Sequence, residues 1–76
     1  MAEPVEQPHI GELIAAERRA KGYSQARLAT LADLSPQAIQ FIETGKRTPR
    51  VATLMAIKAA LDLPDETFST WLEVAA

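Results

Sequence analysis

Seventy-six residues make one small domain, near the lower limit of what folds without staples. The chain has no cysteine, which excludes a disulfide framework and a thiolate zinc site, and its one histidine, His9, lies in the N-terminal tail, where a catalytic triad is not expected. Its formal net charge of −2 runs weakly against a nucleic-acid partner, so where the charge lies matters more than its total. Lys46, Arg47 and Arg50 face only Glu43 across residues 34–50, whereas residues 51–76 set Lys58 against Asp62, Asp65, Glu66 and Glu73. Glu3 and Glu6 add acid at the other end. Basic excess gathers mid-chain and acid at both termini, which suits a molecule with one anion-facing side.

Residues 1–9, MAEPVEQPH, hold two prolines, two glutamates and no periodic apolar pattern, and read as a flexible tail with His9 solvated. From Ile10 to Lys21 the pattern is helical, with Ile10, Leu13, Ile14, Glu17, Arg18 and Lys21 on one face and Gly22 as the left-handed stop. Ser24 caps a second helix that runs to about Ala32, and Asp33 takes the corner, where a positive φ is expected. Ser35 caps a third helix with Pro36 in its first position, and Gly45 ends it. A fourth helix is expected over about Val51–Leu61 with Val51, Leu54, Ile57 and Leu61 inward. A fifth is expected over about Pro64–Ala75, with Asp65 and Glu66 in its first turn and Phe68, Trp71, Leu72 and Ala75 as its apolar stripe. No stretch alternates long enough to be a strand, so the fold is all-α, a 10–76 domain behind the 1–9 tail.

Residues 25–44 are two short helices joined by a corner too tight for anything but a direct turn, the pattern of a helix-turn-helix. The residues that carry it, Gly22-Tyr23-Ser24-Gln25, Leu28-Ala29, Ile39, Ile42-Glu43-Thr44-Gly45-Lys46-Arg47-Thr48-Pro49, Thr53-Leu54 and Ala60-Leu61, resemble the Cro/repressor-type (XRE-family) helix-turn-helix domain of phage repressors and small bacterial regulators. The resemblance implies a five-helix, lambda-repressor-like domain that binds operator DNA, usually as a two-fold dimer.

By that resemblance Ser24 and Gln25 hold phosphate at the start of helix two, where free N–H groups and the helix dipole favour an anion. At ~100° per residue, Ile39, Ile42 and Glu43 of the third helix point inward, with Gln37, Phe41 and Thr44 opposite and Gln40 beside them. Ser35, Pro36, Gln37, Gln40 and Phe41 are the candidate base contacts, the glutamines because an amide pairs a donor with an acceptor against a base edge. Thr44, Lys46, Arg47, Arg50 and, more weakly, Arg27 are candidates for phosphate. For each basic residue alone, a solvated surface charge is the competing reading.

Two departures from the family pattern stand out. Pro36 offers only apolar contact where a polar base-reading side chain is usual, and Phe41 fills a slot usually polar or basic. The Phe41 ring has three open readings: contact with a thymine methyl group, folding back as partial core, or a protein-binding patch. Under the first, Phe41→Ala alters site preference more than general affinity.

Arg18 and Glu43 match positions that the family joins by a buried ion pair, and their inward faces point to the same pairing. Glu17 and Lys58, each within an apolar stripe, either pair or carry their charges out to solvent on long stems. Phe68, Trp71 and Leu72 are candidates for a dimer interface; in one arrangement Phe68 and Leu72 enter the core and Trp71 lies near the two-fold contact. With no phosphate loop, metal spacing or nucleophile elbow, the chain is not expected to be an enzyme, to hold a cofactor or metal, or to take a small-molecule substrate. No apolar run approaches the ~18 residues of a membrane span, and no signal peptide opens the chain, so no membrane partner and a cytoplasmic, nucleoid-associated setting are expected. The leading expectation is a repressor that binds a palindromic operator in double-stranded DNA as a homodimer. The alternative is a protein-interaction module, such as an antitoxin that neutralises a partner protein, with or without DNA autoregulation.

Overall fold

The structure, a computed structural model, describes residues 9–64 and 66–68. Four helices follow one another: α1 (Ile10–Ala20), α2 (Gln25–Ala32), α3 (Pro36–Glu43) and α4 (Val51–Ala60). The described residues contain no strand, and none of their helices is long and apolar enough to cross a membrane.

Sequence signals set the helix ends. Ser24 and Ser35 are extended N-caps whose Oγ atoms accept from the N–H of Arg27 and Ala38, each at 3.0 Å. Ser35→Ala is expected to lower stability in a urea titration by about 1 kcal/mol, the usual worth of such a cap; an unchanged midpoint would mean that Pro36 alone starts α3. All four helices end alike. Gly22, Asp33, Gly45 and Asp62 sit in the left-handed region at φ 75°, 59°, 81° and 54°. Each donates its N–H to the carbonyl three residues back, and the residue after it donates to the carbonyl five back, at 2.8–3.3 Å. This arrangement satisfies carbonyls that a helix end leaves open. At Asp33 it also makes the tight α2–α3 corner, because Leu34 N–H reaches Ala29 O at 2.8 Å.

One core joins Ile10, Ile14, Leu28, Ala29, Ala32, Ile39, Ile42, Leu54, Ile57, Leu61 and Phe68. Helix α3 packs on α2 and α1, and α4 packs on α2, so α3 is braced from two sides. Three expectations need correction. The buried face of α1 is Ile10, Gly11, Ile14, Ala15 and Arg18, with Leu13 and Glu17 only half-buried and Lys21 exposed. Gly11 faces α3 there, which lets the two backbones approach more closely than a larger residue would. Val51 is exposed, because it lies about 90° around the helix from the centre of the Leu54–Ile57–Leu61 stripe. The described residues hold four helices rather than five: 66–68 form a turn, in which Thr67 N–H donates to Pro64 O at 3.0 Å. That i→i+3 bond closes a turn rather than an α-helical one. The rest of the expected fifth helix, with Trp71 and Leu72, lies outside the described residues, as do residues 1–8 of the expected tail.

Phe68 is fully buried in the core of its own chain, so it offers no surface to a second copy. His9, expected to be solvated, is extended at the head of α1. Its Nε2 lies 3.4 Å from Glu12 Oε1, and its ring lies against Gly45. The ion pairs among described residues are Arg18–Glu43 and, when His9 is protonated, His9–Glu12. No Glu17–Lys58 bridge is among them, and Lys58 has an interaction of its own.

Candidate nucleic-acid interface

Helix α3 owes its placement to a polar cluster on its inner side. Arg18 and Glu43 are 9% and 8% exposed, and a charge so far from water must be partnered at every lone pair and proton. Arg18 Nε donates to Glu43 Oε2 at 2.7 Å and Arg18 Nη2 to Glu43 Oε1 at 3.1 Å, a two-pronged contact that fixes the plane of the carboxylate. Arg18 Nη1 donates to Tyr23 O at 2.7 Å, which ties α1 to the α1–α2 turn. Gln25 Nε2 donates to Glu43 Oε1 at 3.0 Å, which adds α2. Three helices therefore meet on one carboxylate near the end of α3, and no buried side-chain N or O atom among the described residues is left without a partner. One N–H of the Gln25 amide is thus turned inward rather than toward solvent, a role that helix phase could not reveal because Gln25 sits at the first position of α2.

Beside this cluster α1 crosses α3 at Gly11. A Cβ built there would collide with the carbonyl oxygen of Ile42 and lie 2.9 Å from Glu43 Cα. The sequence reading missed this residue: a glycine near the start of a helical pattern has no hydrophobic signal, and only the neighbour's backbone explains it.

The opposite side of α3 is open. Ser35, Pro36, Gln37 and Gln40 are all exposed, and the two glutamines are free of the core. Around them lie the other candidates: Ser24, Arg27 and Thr44, exposed, and Lys46, Arg47 and Arg50, exposed along the loop to α4. Ser24 uses its oxygen as an acceptor and keeps its hydroxyl proton for an anion. Thr44 does not, because its Oγ1 donates to Gln40 O at 2.9 Å and so offers a phosphate no proton in this arrangement. The α3–α4 loop borders a cleft of about 540 Å³ lined by Leu34, Ala38, Arg47, Thr48, Pro49, Arg50 and Thr53.

Phe41 lies between the two sides. It is half-buried, with Lys46 Nζ 5.8 Å and Arg47 Cζ 5.7 Å from its ring centroid. Both distances fall within the ~6 Å at which a ring face attracts a cation. The ring is thus neither fully exposed nor part of the apolar core, and two cations lie over it.

An exposed, uncharged helix face, held rigidly over the core and bordered by cations, defines a helix-turn-helix reader of duplex DNA. Comparison with known proteins agrees. The helix-turn-helix family profile matches residues 14–68. Among solved structures, the chain is similar to the restriction-modification controller protein C.AhdI from Aeromonas hydrophila, with 30% identity over 74% of this chain and 85% of that one and a TM-score of 0.72. It is similar also to a point mutant of the restriction-modification controller protein C.Esp1396I, with 29% identity over 86% of this chain and 84% of that one and a TM-score of 0.76. A search of curated proteins finds no match of comparable significance. The chain belongs to the helix-turn-helix family, and within it to the Cro/repressor type read from the motif around Ser24–Gln25 and Ile42–Pro49. It is a DNA-binding transcriptional regulator.

Proposed function

We propose that the chain is a repressor that binds a two-fold operator in the major groove as a homodimer in the cytoplasm. The observation that carries the reading is the exposed face of α3, where Ser35, Pro36, Gln37 and Gln40 are directed away from the core while Glu43 anchors the helix from behind. Gln37 and Gln40 would read base edges by paired hydrogen bonds, adenine N6 and N7 being the best match for an amide, and Pro36 would contribute apolar contact. Ser24, Arg27, Lys46, Arg47 and Arg50 would hold phosphates, which sets register without carrying sequence information. With no arginine or lysine in α3, affinity would come mainly from the following loop and specificity from the glutamines. The likeness to two restriction-modification controllers makes a restriction-modification gene pair the first target to examine. The protein-interaction alternative gains no support from these likenesses.

Binding to random duplex DNA, measured against salt, tests the electrostatic half. Each phosphate neutralised contributes a slope of about −0.9 in log K against log salt, so Arg27, Lys46, Arg47 and Arg50 from two protomers predict a slope of about −7. Absence of binding at low salt would reject the reading. Selection of bound sites from a random pool tests the specific half, with two half-sites about one helical turn apart as the expected result.

A further inference from the structure

We propose that Phe41 is a positioning residue: its ring and carbonyl hold Lys46 and Arg47 ready for phosphate, so it governs how tightly any duplex is bound rather than which sequence is read. The inference rests on the assignment of those two cations to the DNA backbone.

The comparison among helix ends carries it. In the shared stop motif, the residue after the left-handed one usually makes an apolar contact back onto the last turn. After α1, α2 and α4 that residue is Tyr23, Leu34 and Leu63, each packed against the hydrophobic core. After α3 it is Lys46, and its contact is with the ring of Phe41, five residues back. The apolar clasp has become a cation on an aromatic face. Arg47 joins the same ring, and the backbone N–H groups of both residues donate to Phe41 O, at 2.9 Å from Lys46 and 3.1 Å from Arg47. Gly45, at φ 81°, makes the reversal that lets both turn back. One residue thus holds two successive cations by main chain and by side chain at once. Long cationic side chains ordered before binding lose less rotamer freedom when a phosphate arrives. The gain is the same for every sequence, because a phosphate carries no base identity.

The test is a double-mutant cycle on DNA affinity together with NMR of the free full chain. In the free protein, the side-chain protons of Lys46 and Arg47 should show upfield ring-current shifts that Phe41→Leu abolishes and Phe41→Tyr retains. Phe41→Leu should weaken binding by about 5-fold per protomer, equally on random and selected duplexes, consistent with exposed cation–aromatic contacts. In a Lys46→Met/Arg47→Met background, Phe41→Leu should have no further effect. A loss confined to selected sites, a loss that persists in the double-methionine background, or shifts that do not depend on the ring would each overturn the proposal. Should the unaltered chain fail to bind duplex DNA, the proposed function falls and the phosphate role assigned to Phe41 falls with it, whereas the ring-current shifts still decide whether the ring positions the two cations.

Discussion

Arg18→Met is expected to remove about 3–5 kcal/mol of folding free energy, measured by urea denaturation. The change takes two hydrogen bonds from Glu43 and one from Tyr23 O, and leaves a carboxylate side chain only 4% exposed with the Gln25 amide as its remaining donor among the described residues. Small domains have total stabilities of about 5–15 kcal/mol, so the variant should be close to unfolding at physiological temperature. The Coulomb attraction is not what makes the loss so large. A buried pair often does little better than apolar residues of the same size, whereas half a pair strands a charge. Arg18→Met combined with Glu43→Leu should therefore recover most of the loss. If the pair also sets the angle at which α3 is presented, the recovered double variant should fold and still bind DNA more weakly than the unaltered chain. A loss of under about 0.5 kcal/mol for Arg18→Met would show that water reaches Glu43 and that the pair behaves as a surface bridge.

Gly11→Ala should be nearly as damaging, although alanine is the better helix former by about 1 kcal/mol. The added methyl group meets backbone on α3, the Ile42 carbonyl and Glu43 Cα, and neither can rotate away as a side chain could. Helix α1 must then lift from α3, which should cost about 3 kcal/mol, at the upper end of what overpacking usually does. The same lift would stretch the Arg18–Glu43 contact, since both lie on the α1–α3 interface. A lower unfolding midpoint is thus expected together with weaker DNA binding under conditions where the variant is still folded. An unchanged midpoint would mean that the two helices have room to part.

Both predictions concern the inner side of α3, and that side was unevenly legible in the sequence. Arg18 and Glu43 could be paired in advance because each was a charge on an inward helical phase, and burial leaves two such charges little choice but each other. Glu17 and Lys58 met the same argument, yet no bridge joins them; both are only half-buried, so neither was forced to find the other. Gly11 and Ala15 went unread because hydrophobic periodicity weighs large side chains, and at Gly11 the contact is made by the absence of one.

What the sequence by itself determined is local. Serine caps, Pro36 in the first turn and left-handed residues at Gly22, Asp33 and Gly45 act within a few residues of chain, so they can be read without knowing what packs on them. The helix-turn-helix and its open face follow from those signals and from 3.6-residue phase. Only the tertiary structure decided which groups meet across helices: Gln25 turned onto Glu43, the α1 backbone riding on α3 at Gly11, and Phe68 drawn wholly into the core. It also decided the fate of Phe41, which phase placed on the reading face and the turn after α3 brought under Lys46 and Arg47. The physical reason is one of range. Capping and periodicity are properties of a segment, whereas a buried hydrogen bond, a close backbone approach and a cation over a ring depend on where another part of the chain comes to rest.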